Sequence, residues 1–245
     1  MFLNLIKGFF IGIANVIPGV SGGTLAVIFG VYDQLTEAIG NFLTAPMKKK
    51  IEYAKFLIQI AIGAGIGILL FARVITLLYA NYPKVTLTAF TLLILPSIPM
   101  IVKGEKIDRK SVLYFSLGAA LILIFMYFDF KYGGNNSTVA VDKVFTPSYA
   151  SKLAFSGLIA AGAMIIPGIS GSLLLMMIGE YYNILGLINS FNVPLLFFFG
   201  IGVAIGMVGF SKVINYLLNN CRSATLFFIT GIVTISIAQM WIAFI

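Results

Sequence analysis

The stretch Ile17-Pro18-Gly19-Val20-Ser21-Gly22-Gly23-Thr24 returns 149 residues later as Ile166-Pro167-Gly168-Ile169-Ser170-Gly171-Ser172-Leu173. In each copy proline removes a backbone donor and glycine admits positive φ, so a helix cannot run through. Both copies nevertheless sit inside apolar regions, 8–43 and 156–190. The ten residues Gly8–Ile17 before the first break would make a helix about 15 Å long. That is about half of a hydrocarbon core roughly 30 Å thick. The pattern predicts a re-entrant hairpin, a helix that enters halfway, turns and leaves. Such backbone survives at membrane depth only where protein buries it or a cavity receives it. Pro18, Gly19, Pro167 and Gly168 are the expected turn residues.

The likeness spreads outward from the motif. At the same spacing Gly8, Ala14, Gly30, Tyr32, Ile39 and Phe42 match Gly157, Ala163, Gly179, Tyr181, Ile188 and Phe191. Beyond the hairpins the spacing shortens to 139. There Gly63, Gly67, Phe71 and Ile75 match Gly202, Gly206, Phe210 and Ile214, and Asn81, Thr86 and Thr91 match Asn220, Thr225 and Thr230. The difference is a basic insert around Lys48-Lys49-Lys50. A glycine motif alone would be weak, whereas a repeat running through three successive elements is strong.

Lipid is the solvent this chain is written for. Of its 245 residues 60% are hydrophobic and only 10% charged, with a mean hydropathy of +1.05; soluble domains are about a quarter charged. Five segments read as simple spans: 54–80, 84–103, 111–128, 194–218 and 224–244. The expected fold is therefore an all-α polytopic membrane protein, with two re-entrant hairpins and about five transmembrane helices. Residues 1–103 form the first repeat, with hairpin 8–43 and two spans. A connecting span and external loop occupy 104–151, and the second repeat fills 152–245, with hairpin 156–190 and two spans. Three spans then separate the hairpins, and an odd number inverts the second copy relative to the first.

Basic residues orient this arrangement. Lys7, Lys48, Lys49, Lys50, Lys55, Lys103, Lys106, Arg109, Lys110 and Arg222 would share one side, and Lys84, Lys131, Lys143 and Lys152 the other. The richer side is expected to be cytoplasmic, with the N-terminus inside, the C-terminus outside and 129–150 as an external loop of a cytoplasmic-membrane protein. The net charge of +8 fits loops facing anionic lipid better than nucleic acid, which is not an expected partner. The opening residues lack a basic region ahead of an apolar run and a cleavage site, and read as a mature N-terminus.

Chemistry is limited by what is missing. The sequence has no histidine and one cysteine, Cys221, which argues against a zinc site and against the usual general base. No metal, cofactor or catalytic residue is expected. The helix that follows each break begins with free amides and a positive dipole end, a ready anion site. Ser21, Gly22, Gly23, Thr24, Ser170, Gly171 and Ser172 are the candidate anion-binding residues. The competing reading is that Gly and Ser merely let backbones pack closely. Arg73 and Lys212 are matched by the 139-residue spacing and join the candidates as intramembrane cations, although both could snorkel to a helix end. Glu180, matched by Val31, is a candidate group for proton or cation coupling, or a structural carboxylate. Asp33 and Glu37 fall at the interface. The runs Gly63-x-Gly65-x-Gly67 and Gly200-x-Gly202 lie within spans and are packing faces rather than nucleotide loops.

The stretch Gly12–Thr24 with Gly30-Val31-Tyr32, and its partner Ile166–Ser172 with Gly179-Glu180-Tyr181, resemble the paired signatures of a bacterial and archaeal membrane family. That family, long labelled a domain of unknown function, includes the PopT-type undecaprenyl-phosphate translocases. The resemblance covers essentially the whole chain. It implies return of undecaprenyl phosphate or a related polyprenyl phosphate from the outer to the inner leaflet for envelope polymer synthesis. Its phosphate would sit between the half-helix ends at the midplane, with alternating access. Ser172 in place of Gly23 and Leu173 in place of Thr24 imply unequal roles for the two hairpins. A porter for a small soluble anion is the alternative, and a membrane lipid phosphatase a more distant one.

Overall fold

A computed structural model describes residues 2–16, 21–132 and 145–242. Pro18 and Gly19 of the first turn, and most of the expected external loop, lie outside the described residues. No strand occurs among those described. The helices of the first half are α1 (Phe2–Val16), α2 (Gly22–Ile28), α3 (Tyr32–Asn41), α4 (Met47–Asn81), α5 (Pro83–Ile94) and α6 (Ser97–Ile101). After α7 (Arg109–Tyr132) come α8 (Pro147–Ile165), α9 (Gly171–Ile178), α10 (Tyr181–Asn189), α11 (Val193–Asn220) and α12 (Arg222–Ile242).

The two halves fold alike, and the matched glycines carry the likeness. A Cβ on Gly63 would lie 2.2 Å from the Leu5 carbonyl oxygen, and one on Gly202 would lie 1.8 Å from that of Ala154. Gly67 meets Phe9, as Gly206 meets Leu158; Gly8 meets Ile60, as Gly157 meets Phe199. Each of these pairs is equivalent under the two sequence spacings. They let α1 lie backbone to backbone on α4, and α8 on α11, the close packing that drives association where water supplies no hydrophobic force. Contacts advance in the same direction along both members of each pair, so α1 runs parallel to α4 and α8 parallel to α11. The segment between the parallel helices has to return to its starting side, and α2 with α3, or α9 with α10, supplies the return. Gly30 (φ 64°) and Gly179 (φ 77°) break these return legs at matched positions, a backbone region that glycine enters without a Cβ penalty.

Several element boundaries differ from expectation. The first arm is α1 from Phe2, fifteen residues rather than ten, so it is about 22 Å long. The first arm of the second copy extends back to Pro147 and is nineteen residues long, a sixth helix long and apolar enough to cross a membrane. Tyr149, Ser151, Lys152 and Ser156 dilute its early turns and concealed it. The span expected over 84–103 breaks after Ile94 into α5 and α6, because Pro96 has no amide to continue the ladder. The basic insert is helical, with Lys48–Lys50 in the first turn of α4.

With six such helices, the chain is a multi-pass membrane protein. A large buried cluster joins α2, α3, α5 and α12 through Leu25, Tyr32, Ala38, Leu87, Ile229 and Val233. A second, smaller one surrounds α9 and α10 through Leu153, Leu175, Ile184 and Leu195.

Candidate functional site

The second motif turns as its sequence dictates. Ile166 to Ile169 has the arrangement of a type II turn, with Pro167 second, Gly168 third at φ 86°, and the Ile169 amide donating to the Ile166 carbonyl at 3.3 Å. A short helix then starts from Ser170, as α2 starts from Ser21; both serines have extended backbone.

The two motifs meet. The Gly168 amide donates to Thr24 Oγ1 at 2.9 Å, and the Tyr32 hydroxyl donates to the Ile165 carbonyl at 3.0 Å. Between them and the C-terminal half of α8 lies a cavity of about 450 Å³. Its polar wall is Asn15, Ser21, Ser170, Gly171 and Ser172; Ala160, Met164, Phe199, Val203 and Met207 form much of the apolar wall. Residues from opposite ends of the chain therefore share one site.

The motifs contribute unequally. In the first copy the Gly22 amide donates to Asn15 Oδ1 (3.0 Å), the Gly23 amide to Ser21 Oγ (3.2 Å) and the Thr24 amide to the Ser21 carbonyl (2.9 Å). The α2 N-terminus is thus capped from within, and Gly22, Gly23 and Thr24 are buried behind the cavity wall. In the second copy Met164 stands where Asn15 stands in the first, and Ser170 caps nothing through its side chain. The amides of Gly171 and Ser172 have no hydrogen-bond partner among the described residues. Ser170 Oγ and Ser172 Oγ lie 2.7 Å apart beside them. This end of α9 retains its donors for an anion.

Other candidates stand apart from the cavity. Arg73 on α4 and Lys212 on α11 are exposed and are absent from its lining. The backbone of Lys212 instead meets Gly40 where α3 crosses α11. Glu180, fully buried at the elbow between α9 and α10, accepts from the Tyr149 hydroxyl (2.9 Å) and Asn183 Nδ2 (3.0 Å) and pairs with Lys152 Nζ at 2.5 Å. Asp33 pairs with Arg222 at 2.8 Å, and Glu37 accepts from the Tyr53 hydroxyl at 2.7 Å. Among the described residues no cluster of potential metal ligands occurs.

Sequence reasoning passed over Asn15, Tyr32 and the apolar α11 face. Asn15 had a signal, an amide in the last, apolar turn of α1 just before the break. Matching the copies hid it, because position 164 is methionine.

Residues 11–244 match the sequence profile of the undecaprenyl phosphate translocase-like family. The chain belongs to that family. A polyprenyl-phosphate transporter of Vibrio cholerae serotype O1 is 34% identical over 96% of this chain and 76% of its own length. One of Staphylococcus aureus is 27% identical over 95% of this chain and 83% of its own. No solved structure matches.

Proposed function

We propose that this protein carries polyprenyl phosphate from the outer to the inner leaflet, holding the phosphate where the two motifs meet. Three things support the reading: family membership, relatives named polyprenyl-phosphate transporters, and the shared cavity. The observation that carries the site is the uncapped α9 N-terminus. The Gly171 and Ser172 amides and the Ser170, Ser172 and Ser21 hydroxyls would donate to phosphate oxygens, and charge-assisted bonds of this kind are the strong ones. The apolar wall of Phe199, Val203 and Met207 favours a lipid over a small soluble anion, because it offers the first part of a prenyl chain an oily surface. The remainder of the tail stays in the bilayer.

In this account the regions 8–43 and 156–190 are re-entrant hairpins, each with a return leg, and the halves are inverted. The parallel course of α1 with α4 and of α8 with α11 supports this, since each leg must bring the chain back. The N-terminus is cytoplasmic and the C-terminus external. Access to the site alternates between leaflets. Glu180 is the remaining candidate for coupling to a proton or cation.

Thermal unfolding of purified protein tests the site. Undecaprenyl phosphate should raise the midpoint, by the linkage that any native-state ligand obeys, while undecaprenol and inorganic phosphate should not. Ser170→Ala with Ser172→Ala should remove the rise. Equal stabilisation by undecaprenol would transfer recognition to the tail and sink the phosphate site.

A further inference from the structure

Several matched residues of the two halves sit in unlike surroundings. Tyr32 is 3% exposed and its hydroxyl reaches across to the Ile165 carbonyl, at the end of α8. Its match, Tyr181, is half-buried, and its hydroxyl has no hydrogen-bond partner among the described residues. The carbonyl that would correspond to Ile165 belongs to Val16. α3 lies along α11, so closely that a Cβ on Gly40 would stand 2.7 Å from the Lys212 nitrogen. The matched helix, α10, makes no comparable packing with α4 among the described residues. Thr36 of α3 is fully buried while Leu185, its match on α10, is 40% exposed.

The α1–α4 and α8–α11 packing is the same in both halves, whereas the packing of α3 on α11 has no counterpart between α10 and α4 among the described residues. Part of this inequality is written in the sequence, as at Thr36 and Leu185, and the rest is an arrangement of one half on the other. Repeat-built transporters alternate by rocking one unit against another around a fixed site, and two packed arrangements are discrete rather than continuous. We propose that Tyr32 and Tyr181 are alternating latches of the transport cycle. In the state described here Tyr32 holds Ile165 and the α3–α11 seam is shut. In the opposite state Tyr181 donates to the Val16 carbonyl and α10 closes on α4 around Ala72 and Arg73, the matches of Ser211 and Lys212, while Tyr32 lets go.

The cavity fits this assignment. Phe199 and Val203 line the cavity from the half of α11 away from the shut seam. In the proposed orientation that half is external, and the state is outward-facing. The Thr24–Gly168 bond has no mirror, because residue 173 is leucine. It ties the motifs together at the centre while the flanks exchange. Arg73 and Lys212 then mark the two seams instead of touching the phosphate.

The inference rests on the alternating-access reading, and its test is independent of substrate. In a Cys221→Ser chain, Ala72→Cys and Asn189→Cys replace the matches of Ser211 and Gly40, which meet at the shut seam. Oxidation in the membrane should form a disulfide within one chain, stop lipid movement, and be reversed by reductant. Each tyrosine hydroxyl contributes about one hydrogen bond, so Tyr32→Phe should raise the crosslinking rate about fivefold and Tyr181→Phe should lower it about fivefold. The double variant should return to the starting rate, which a merely structural role would not produce. Absence of the disulfide while lipid still moves, a disulfide between two chains, or same-direction effects of the two Phe variants would overturn the proposal. A chain that crosslinks with opposed tyrosine effects but moves no lipid would support the exchange and refute the transport reading.

Discussion

Thr24 shows how far a single residue can be read from the sequence. As a hydroxyl beside a helix start it invites assignment to the ligand, yet the fold buries it and gives its oxygen to the Gly168 amide. Thr24→Val keeps the shape and strands that buried donor, a loss of about 1–3 kcal/mol, visible as a lower unfolding midpoint; Thr24→Ser should retain most of the stability. Glu180 invites a different check. Lys152, Tyr149 and Asn183 all donate to it, so Glu180→Gln should destabilise the α9–α10 elbow. If the carboxylate only holds that elbow, the variant should keep the same dependence on a proton gradient, measured as transport rate with and without the gradient. Loss of that dependence at retained folding would assign Glu180 to coupling. Ser21, Ser170, Gly171 and Ser172 were legible because a broken helix in lipid must spend its free polar groups on something. Arg73 and Lys212 lie outside the cavity lining: matched spacing reports matched position in a fold, and position on a helix does not fix which neighbour a long cation meets.

Among the elements, the glycine faces of α4 and α11 were readable in kind but not in partner. Spacing marked Gly63, Gly65, Gly67, Gly200 and Gly202 as contact glycines; the fold shows that Gly63, Gly67 and Gly202, together with Gly206, receive α1 and α8 in parallel, while Gly65 and Gly200 face open space. Gly202→Ala would press into the Ala154 carbonyl and should cost about 1–3 kcal/mol, lowering the unfolding midpoint in detergent. Gly200→Ala on the same helix meets nothing within 4 Å and should leave the midpoint unchanged or raise it, as alanine favours a helix by about 1 kcal/mol. Equal losses at both positions would contradict the packing described. Helix ends were less legible. α8 begins with polar and aromatic residues that side-chain packing tolerates, so its length was underestimated, and the Pro96 break lay unnoticed in a continuous apolar run.

For the whole molecule, the repeat and the membrane setting follow from sequence because matched residues and low charge density are properties of the chain itself. The unequal packing of the halves is not. Matched identities say how each half folds and nothing of how one half sits against the other. The central claim is that this protein moves a phosphorylated prenyl lipid through the cavity between its motifs. Proteoliposomes carrying labelled polyprenyl phosphate, with a membrane-impermeant quencher outside, measure it directly. The expected result is a protein-dependent exchange of label between leaflets, slowed at least about tenfold by Ser170→Ala with Ser172→Ala, since each hydrogen bond to a charged group is worth about 1.5–3 kcal/mol. Exchange no faster than in protein-free vesicles, or unaltered in the double variant, would contradict it.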